Sequence, residues 1–162
     1  MTEKRFWVLI EAAWQVVGGK AKARQKLAEG KLSEEKAEAL MESLGEVIPA
    51  LTDLLGKLTA VELLEFDRIL ERKLFAIDRA DVHAYTDGSD DGFLYARGFI
   101  VAAGHAYYEG VNANPAVALM DLECEELCSL PWHLYREKFG EAPASGISRG
   151  SFSNKAGWPD LG

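Results

Sequence analysis

The chain is short of cysteine, of positive charge and of long apolar runs, and each shortage removes a class of protein. Two cysteines in 162 residues, Cys124 and Cys128, cannot staple a disulfide scaffold. Four positions apart in a helical pattern, they are also poorly placed to bridge each other. Reduced thiols fit a reducing compartment, so the expected location is the cytoplasm. Only 18 lysines and arginines stand against 26 aspartates and glutamates, a net charge of −8. A phosphate-tracking protein needs a basic face, so direct nucleic-acid binding is not expected. The opening apolar run Phe6-Trp7-Val8-Leu9-Ile10 is interrupted by Glu11. That is no signal peptide, and it falls far short of the roughly 20 apolar residues of a membrane span, so no membrane association is expected. Strand alternation, internal repeats, phosphate loops, dinucleotide fingerprints and nucleophile elbows are absent too.

What is present is helical periodicity. Thr2 is an N-cap, and Phe6, Leu9, Ile10, Ala13 and Val17 form one stripe, widened by Trp7 and Trp14 and stopped at Gly18-Gly19. Residues 20–58 read as two further helices. One covers Ala21–Ala28 and ends at Gly30; the next starts at Ser33 and is expected to kink or split at Gly45 and Pro49. Thr59-Ala60-Val61-Glu62 is a capping box ahead of Leu63, Phe66, Leu70, Leu74 and Ile77, spaced near 3.6 residues. Asp81 to Gly88 reads as a polar interval. Ser89 caps again, before Phe93, Ala96, Ile100, Ala103 and Tyr107, with Gly104 marking close contact or a break. Asn114-Pro115 opens a last segment running through Leu119, Leu122, Leu127, Leu130 and Leu134 to Phe139, with a kink or division expected at Pro131. From Pro143, Ser, Gly and Pro dominate, and the tail is expected to be irregular or mobile. The expected fold is all-α: one irregular bundle of about six to eight helices over residues 1–142, with a poorly structured tail at 143–162.

Charge is unevenly spread. Residues 1–58 are balanced, whereas residues 59–142 hold 16 acidic side chains against 7 basic ones. A basic run at Lys20, Lys22, Arg24 and Lys26 reads as a solvated helix face. The acidic stretch contains the most informative run in the chain, Asp87-Gly88-Ser89-Asp90-Asp91-Gly92-Phe93. Ser89 as a cap, with Asp90 and Asp91 in the first turn against the positive helix end, accounts for it structurally. The competing reading is a site. Arg97 lies seven positions after Asp90, inside an apolar helix where an unpaired charge is costly. It is therefore expected to pair with Asp90, Asp91 or an acid from another helix.

At these residues the chain resembles the bacterial domain-of-unknown-function family 4240. That family's motif is Ser-Asp-Asp-Gly-Phe, then x-Tyr-Phe-Arg-x-Trp-Leu-Ile, then a Gly. Here Ser89 to Phe93 match, as do Tyr95, Arg97 and Gly104, with Phe99, Ile100 and Val101 similar in kind. Tyr108-Glu109 and Pro115 fall where the family has Tyr-Glu and Pro, and Phe6-Trp7-x-Leu9-Ile10-Glu11 is similar to its start. The resemblance covers roughly residues 3–140, with its specific motif at 89–109. Ala96 replaces an aromatic, and His105 stands in place of Arg. His83-Ala84-Tyr85-Thr86-Asp87-Gly88 replaces a Trp- and Gly-rich approach. The resemblance implies a helical domain and no particular activity.

The candidate polar cluster is thus Asp87, Ser89, Asp90, Asp91, Arg97 and His105, functional or structural. His83, Asp87, Asp90, Asp91 and His105 could bind a divalent ion, but their spacing matches no known loop. Cys124, Cys128 and His133 lack a fourth zinc ligand, and the core reading is preferred for them. Ser89 with His83 or His105 is a conceivable nucleophile and base. No cofactor and no metal are expected. The expected function is a non-enzymatic, acidic interaction or binding module whose partner is a basic protein. The alternative is an enzyme, or a small-ligand or metal-binding protein, with a polar pocket around Asp90, Asp91, Arg97 and His105.

Overall fold

Helix starts in this chain are written into single residues. Thr2, Ser33, Thr59 and Ser89 each accept, on a side-chain oxygen, the backbone N–H three positions on. Each cap satisfies one donor that a helix start leaves free and is worth about 1 kcal/mol. At Thr59 the cap is reciprocal, because the Thr59 N–H donates to Glu62 Oε2 at 2.9 Å. That bond, with help from Arg5 and the Thr59 hydroxyl, holds the Glu62 carboxyl at about 2.

The computed structural model describes residues 1–86 and 88–161. Among them are eight α-helices: α1 Glu3–Trp14, α2 Ala21–Ala28, α3 Glu34–Leu55, α4 Ala60–Ala76, α5 Ala80–Thr86, α6 Asp90–Ala102, α7 His105–Ala113 and α8 Glu125–Phe139. No described residue is in a strand, and the fold is an all-α bundle with a short irregular tail. No helix among the described residues is long and apolar enough to cross a membrane.

Several local expectations need correction. α3 runs unbroken through Gly45 and Pro49. Proline removes the N–H that would reach the carbonyl four residues back, and here that residue is Gly45, which is exposed, so solvent can serve the carbonyl. α8 likewise continues through Pro131. Asn114 caps only a 3₁₀ turn, Pro115–Val117. Residues 118–124 then lie outside any helix, and Cys124 N donates to Tyr95 O at 3.0 Å. The polar interval after Asp78 holds a short helix, α5. Arg24, placed by sequence on a solvated face, is 7% exposed. It donates to Glu11 through both terminal nitrogens, at 2.7 and 2.6 Å, and to Ala103 O at 3.0 Å.

α6 is the central helix. Phe93, Ala96, Arg97, Gly98, Phe99, Ile100, Val101 and Ala102 are all buried, so it is covered on nearly every side. It packs on α4, α7 and α8, while α1 packs on α3 and α2 on α7. The Trp14 indole, fully buried, donates to Ala102 O at 2.8 Å and ties α1 to the end of α6. Two glycines allow this crowding. Gly104 turns the chain at φ +109°, and a Cβ there would meet Arg24 Nη1 at 2.6 Å. At Gly98 a Cβ would stand 2.4 Å from Cys124 O and 2.6 Å from Cys128 Sγ, so α8 approaches α6 as closely as backbone allows.

Gly98→Ala is therefore expected to destabilise the protein by about 1–3 kcal/mol, the usual range for overpacking. Urea unfolding followed by circular dichroism measures it; an unchanged midpoint would show that α8 yields without cost.

Candidate functional site

Ser89, Asp90 and Asp91 stay together at the start of α6. Ser89 Oγ accepts from Gly92 N at 3.3 Å, and both aspartates are exposed. Arg97, two turns further on, is fully buried. The expected ion pair with Asp90 or Asp91 is not there. Among the described residues the Arg97 guanidinium donates to Leu74 O at 2.8 Å, Arg149 O at 3.0 Å and Ser151 Oγ at 3.0 Å, and it lies 4.8 Å over the Phe93 ring. The reason is position. The first-turn acids point to solvent, while Arg97 points into the interior, where backbone carbonyls are what it meets. Burial lowers its pKa, and the negative charge of Asp78 works against that shift.

Ser89 stands at the start of α6 and His105 beyond its other end, and the helix between them is about 20 Å long at roughly 1.5 Å per residue. It stacks on Trp7, with ring centroids 4.9 Å apart, and faces Glu109 at 3.5 Å. The polar pocket expected around Asp90, Asp91, Arg97 and His105 therefore does not form. Asp87 lies outside the described residues. His83 reaches Gly88 O at 3.0 Å and sits among the rings of Phe93, Phe152 and Trp158. Among the described residues no three His, Cys, Asp or Glu side chains gather in a way that could hold a metal ion.

Two acidic centres escaped the sequence reading. The first is Asp78, fully buried just after α4. Its Oδ1 accepts from Phe152 N and Trp158 Nε1, both at 3.0 Å, and its Oδ2 from Ser153 N at 2.8 Å and Asn154 N at 2.9 Å. The irregular tail is thus packed onto the bundle, with its N–H groups on Asp78 and its Arg149 and Ser151 oxygens on Arg97. The second centre is the pair Asp67 and Glu71, one turn apart on α4, which share Arg149 at 2.6 and 3.3 Å. A signal for this pair existed. Both acids sit beside Phe66, Leu70 and Leu74, on the flank of the apolar stripe rather than opposite it.

The surface next to the motif is a groove. Glu34 and Glu38 of α3, Tyr85 of α5 and the segment Ala118–Leu122 enclose a hollow of about 340 Å³. Met120, Asp121 and Leu122 also line a second hollow of about 210 Å³, together with Gly88, Gly92, Ala96 and Glu123. Four carboxylates line the two hollows, with no lysine or arginine among the described lining residues. Tyr85 and Met120 stand on the rim 46% and 55% exposed. The arrangement offers apolar anchorage inside a negative border.

A family model described as a protein of unknown function (DUF4240) matches residues 37–137, from α3 into α8. No curated protein matches the chain, and no solved structure matches it.

Two outcomes follow from these contacts. Asp78→Asn keeps one acceptor oxygen but turns an amide NH₂ toward two tail N–H groups. It is expected to cost about 2–4 kcal/mol and to expose Arg149 and Lys155 to trypsin before the bundle unfolds; cleavage no faster than in wild type would refute the clasp. Burial pushes the Cys124 and Cys128 thiols up to about 12 from an ordinary 9.0. The folded state therefore favours the neutral thiol, a contribution that is whole below about pH 9 and lost as pH rises toward 12. Native protein at pH 8 should resist thiol-labelling reagents, with labelling appearing only as denaturant unfolds it; rapid labelling of native protein would contradict the burial.

Proposed function

The chain belongs to the DUF4240 family of proteins of unknown function, and we propose that it acts as a non-enzymatic, acidic binding module in the cytoplasm whose groove takes a basic protein segment. The observation that carries this reading is the sign and texture of the groove. Glu34, Glu38, Asp121 and Glu123 border it, while Leu119, Met120, Leu122 and Tyr85 supply apolar contact. Anchors of this kind, a methionine and an aromatic ring beside a small hollow, are the residues that dominate interface energies. A negative border speeds encounter with a positive partner and sets its register. The fitting occupant is an amphipathic segment with one apolar side chain for the hollow and lysines or arginines to either side.

The Ser-Asp-Asp-Gly run belongs to this reading as scaffold. Ser89 fixes where α6 begins, and Gly88 and Gly92 form part of the second hollow's wall. Asp90 and Asp91 are exposed and extend the negative surface of this end of the molecule.

The test uses a lysine- and leucine-containing amphipathic peptide and its glutamate-substituted counterpart, with binding followed by fluorescence anisotropy. The basic peptide should bind at low salt and weaken as salt rises, and the acidic peptide should not bind. The double variant Glu38→Lys with Glu123→Lys is expected to weaken binding by about three- to tenfold, as two rim charges do. Equal affinity in wild type and variant, or an affinity indifferent to salt, would sink the proposal.

A further inference from the structure

Charge of the opposite sign gathers on the other flank of α3. Glu34 and Glu38 line the acidic hollow. Lys36, two positions from each and so about 200° round the helix, lines a separate open hollow of about 450 Å³ between α2 and the start of α3. Lys20, Lys22 and Lys26 border this hollow from α2 and its N-cap, and the half-buried Ala23 and Leu32 form an apolar floor. No carboxylate is among its described lining residues.

Along the chain, Lys20, Lys22, Arg24 and Lys26 look like one solvated face. The fold divides them. Arg24 turns inward to Glu11 and Ala103 O, while the three lysines stay exposed and Lys36 joins them from a second helix. The nearby acids are engaged elsewhere. Glu11 holds Arg24, Glu29 takes Lys31 and Gln25, and Glu34 and Glu38 lie on the far flank, so none of the four lysines forms an ion pair among the described residues. With 26 acidic side chains against 18 basic ones, a carboxylate is the commoner charged neighbour in this chain. Here four lysines meet without one.

Four like charges around one hollow repel each other, and an anion with several charges relieves that repulsion. Lysine ammonium groups are point charges on flexible stems, and arginine, whose rigid fork matches one planar group, is absent from the wall. The hollow therefore selects by number of charges. A single phosphate brings about two; a chain of linked phosphates brings more, and its length lets it reach lysines on both helices. We infer that this hollow binds the linked phosphate groups of an oligophosphate, inorganic or carried by a nucleoside. Lys20, Lys22 and Lys26 hold the chain from α2, and Lys36 closes on it from α3. A group attached to the chain lies against Ala23 and Leu32.

The experiment is isothermal titration calorimetry on the full chain in a magnesium- and phosphate-free buffer, with tripolyphosphate, orthophosphate and ATP as probes. Tripolyphosphate should bind saturably, weaken as salt rises from about 20 to about 200 mM, and exceed orthophosphate by at least about tenfold, the effect of two further charged contacts. ATP separates the two sources: binding tighter than tripolyphosphate places a nucleoside on the apolar floor, and weaker binding assigns the hollow to the inorganic chain. Lys22→Glu with Lys36→Glu, one change from each helix, should weaken tripolyphosphate by about tenfold or more. Lys57→Glu with Lys155→Glu, the same change in net charge placed elsewhere, should leave it within about twofold. Circular dichroism checks that both variants fold; should the first not, Lys22→Gln with Lys36→Gln removes the charges without reversing them. No saturable binding of tripolyphosphate up to about 5 mM would overturn the inference. Orthophosphate binding as tightly would do the same, as would an equal loss in the two double variants, which would show attraction to bulk charge and no site.

Discussion

The irregular tail of this molecule is organised by two buried charges that share one stretch of its backbone. Asp78 and Arg97 are both fully buried, and neither forms an ion pair among the described residues. Burying a charge costs several kcal/mol unless polar groups replace the lost water. The tail supplies that replacement for Asp78, and for Arg97 it supplies two of the three acceptors, the third being Leu74 O. Its N–H groups at Phe152, Ser153 and Asn154 converge on Asp78, and its oxygens at Arg149 and Ser151 face Arg97. The peptide dipoles of the tail are thereby held between an anion and a cation. A segment without hydrophobic periodicity is ordered because the core contains charges for it to solvate.

The same arrangement reaches outward. Ser151 Oγ also donates to Asp90 O at 2.5 Å, so the start of α6 is linked to the tail. The Arg149 side chain turns the opposite way from its carbonyl and closes the Asp67 and Glu71 pair. It also donates to Cys128 O at 2.8 Å, within the turn of α8 that precedes Pro131. One arginine thus joins α4, α8 and the tail. The acidic groove beside α3 and α5 is built separately, from the segment that leaves helical conformation after Val117. There Asp121 adopts φ +62° and turns the chain so that Met120 faces outward.

What was legible was local. Four N-caps, the capping box at Thr59 and Glu62, and the stop at Gly18-Gly19 could be read because each acts on neighbours within a turn. The apolar stripes of α1, α4 and α6 were legible for the same reason: spacing alone determines which face is buried. The resemblance to the DUF4240 family was legible as well, and a family model matches residues 37–137. At Pro49 and Pro131 the sequence shows what a proline forbids and not what receives the freed carbonyl, so it does not reveal that neither helix divides there. α5 went unseen because seven residues holding Asp81 and His83 look polar, although Val82 and Thr86 are buried.

The sequence by itself determined an all-α chain, where its helices begin, and that Arg97 must be compensated within an apolar helix. Only the tertiary structure decided by what. The partners of Arg97 are Leu74, Arg149 and Ser151, lying 23 to 54 positions away along the chain. Most of them are backbone oxygens, which every residue carries and no sequence pattern advertises. Asp67 and Glu71 look like any other helix acids until Arg149, 82 and 78 positions on, folds back over them. Charge compensation in a core depends on distance in space, and distance along the chain does not report it. For that reason the buried polar chemistry of the molecule lies where the tail returns, at positions the sequence does not single out.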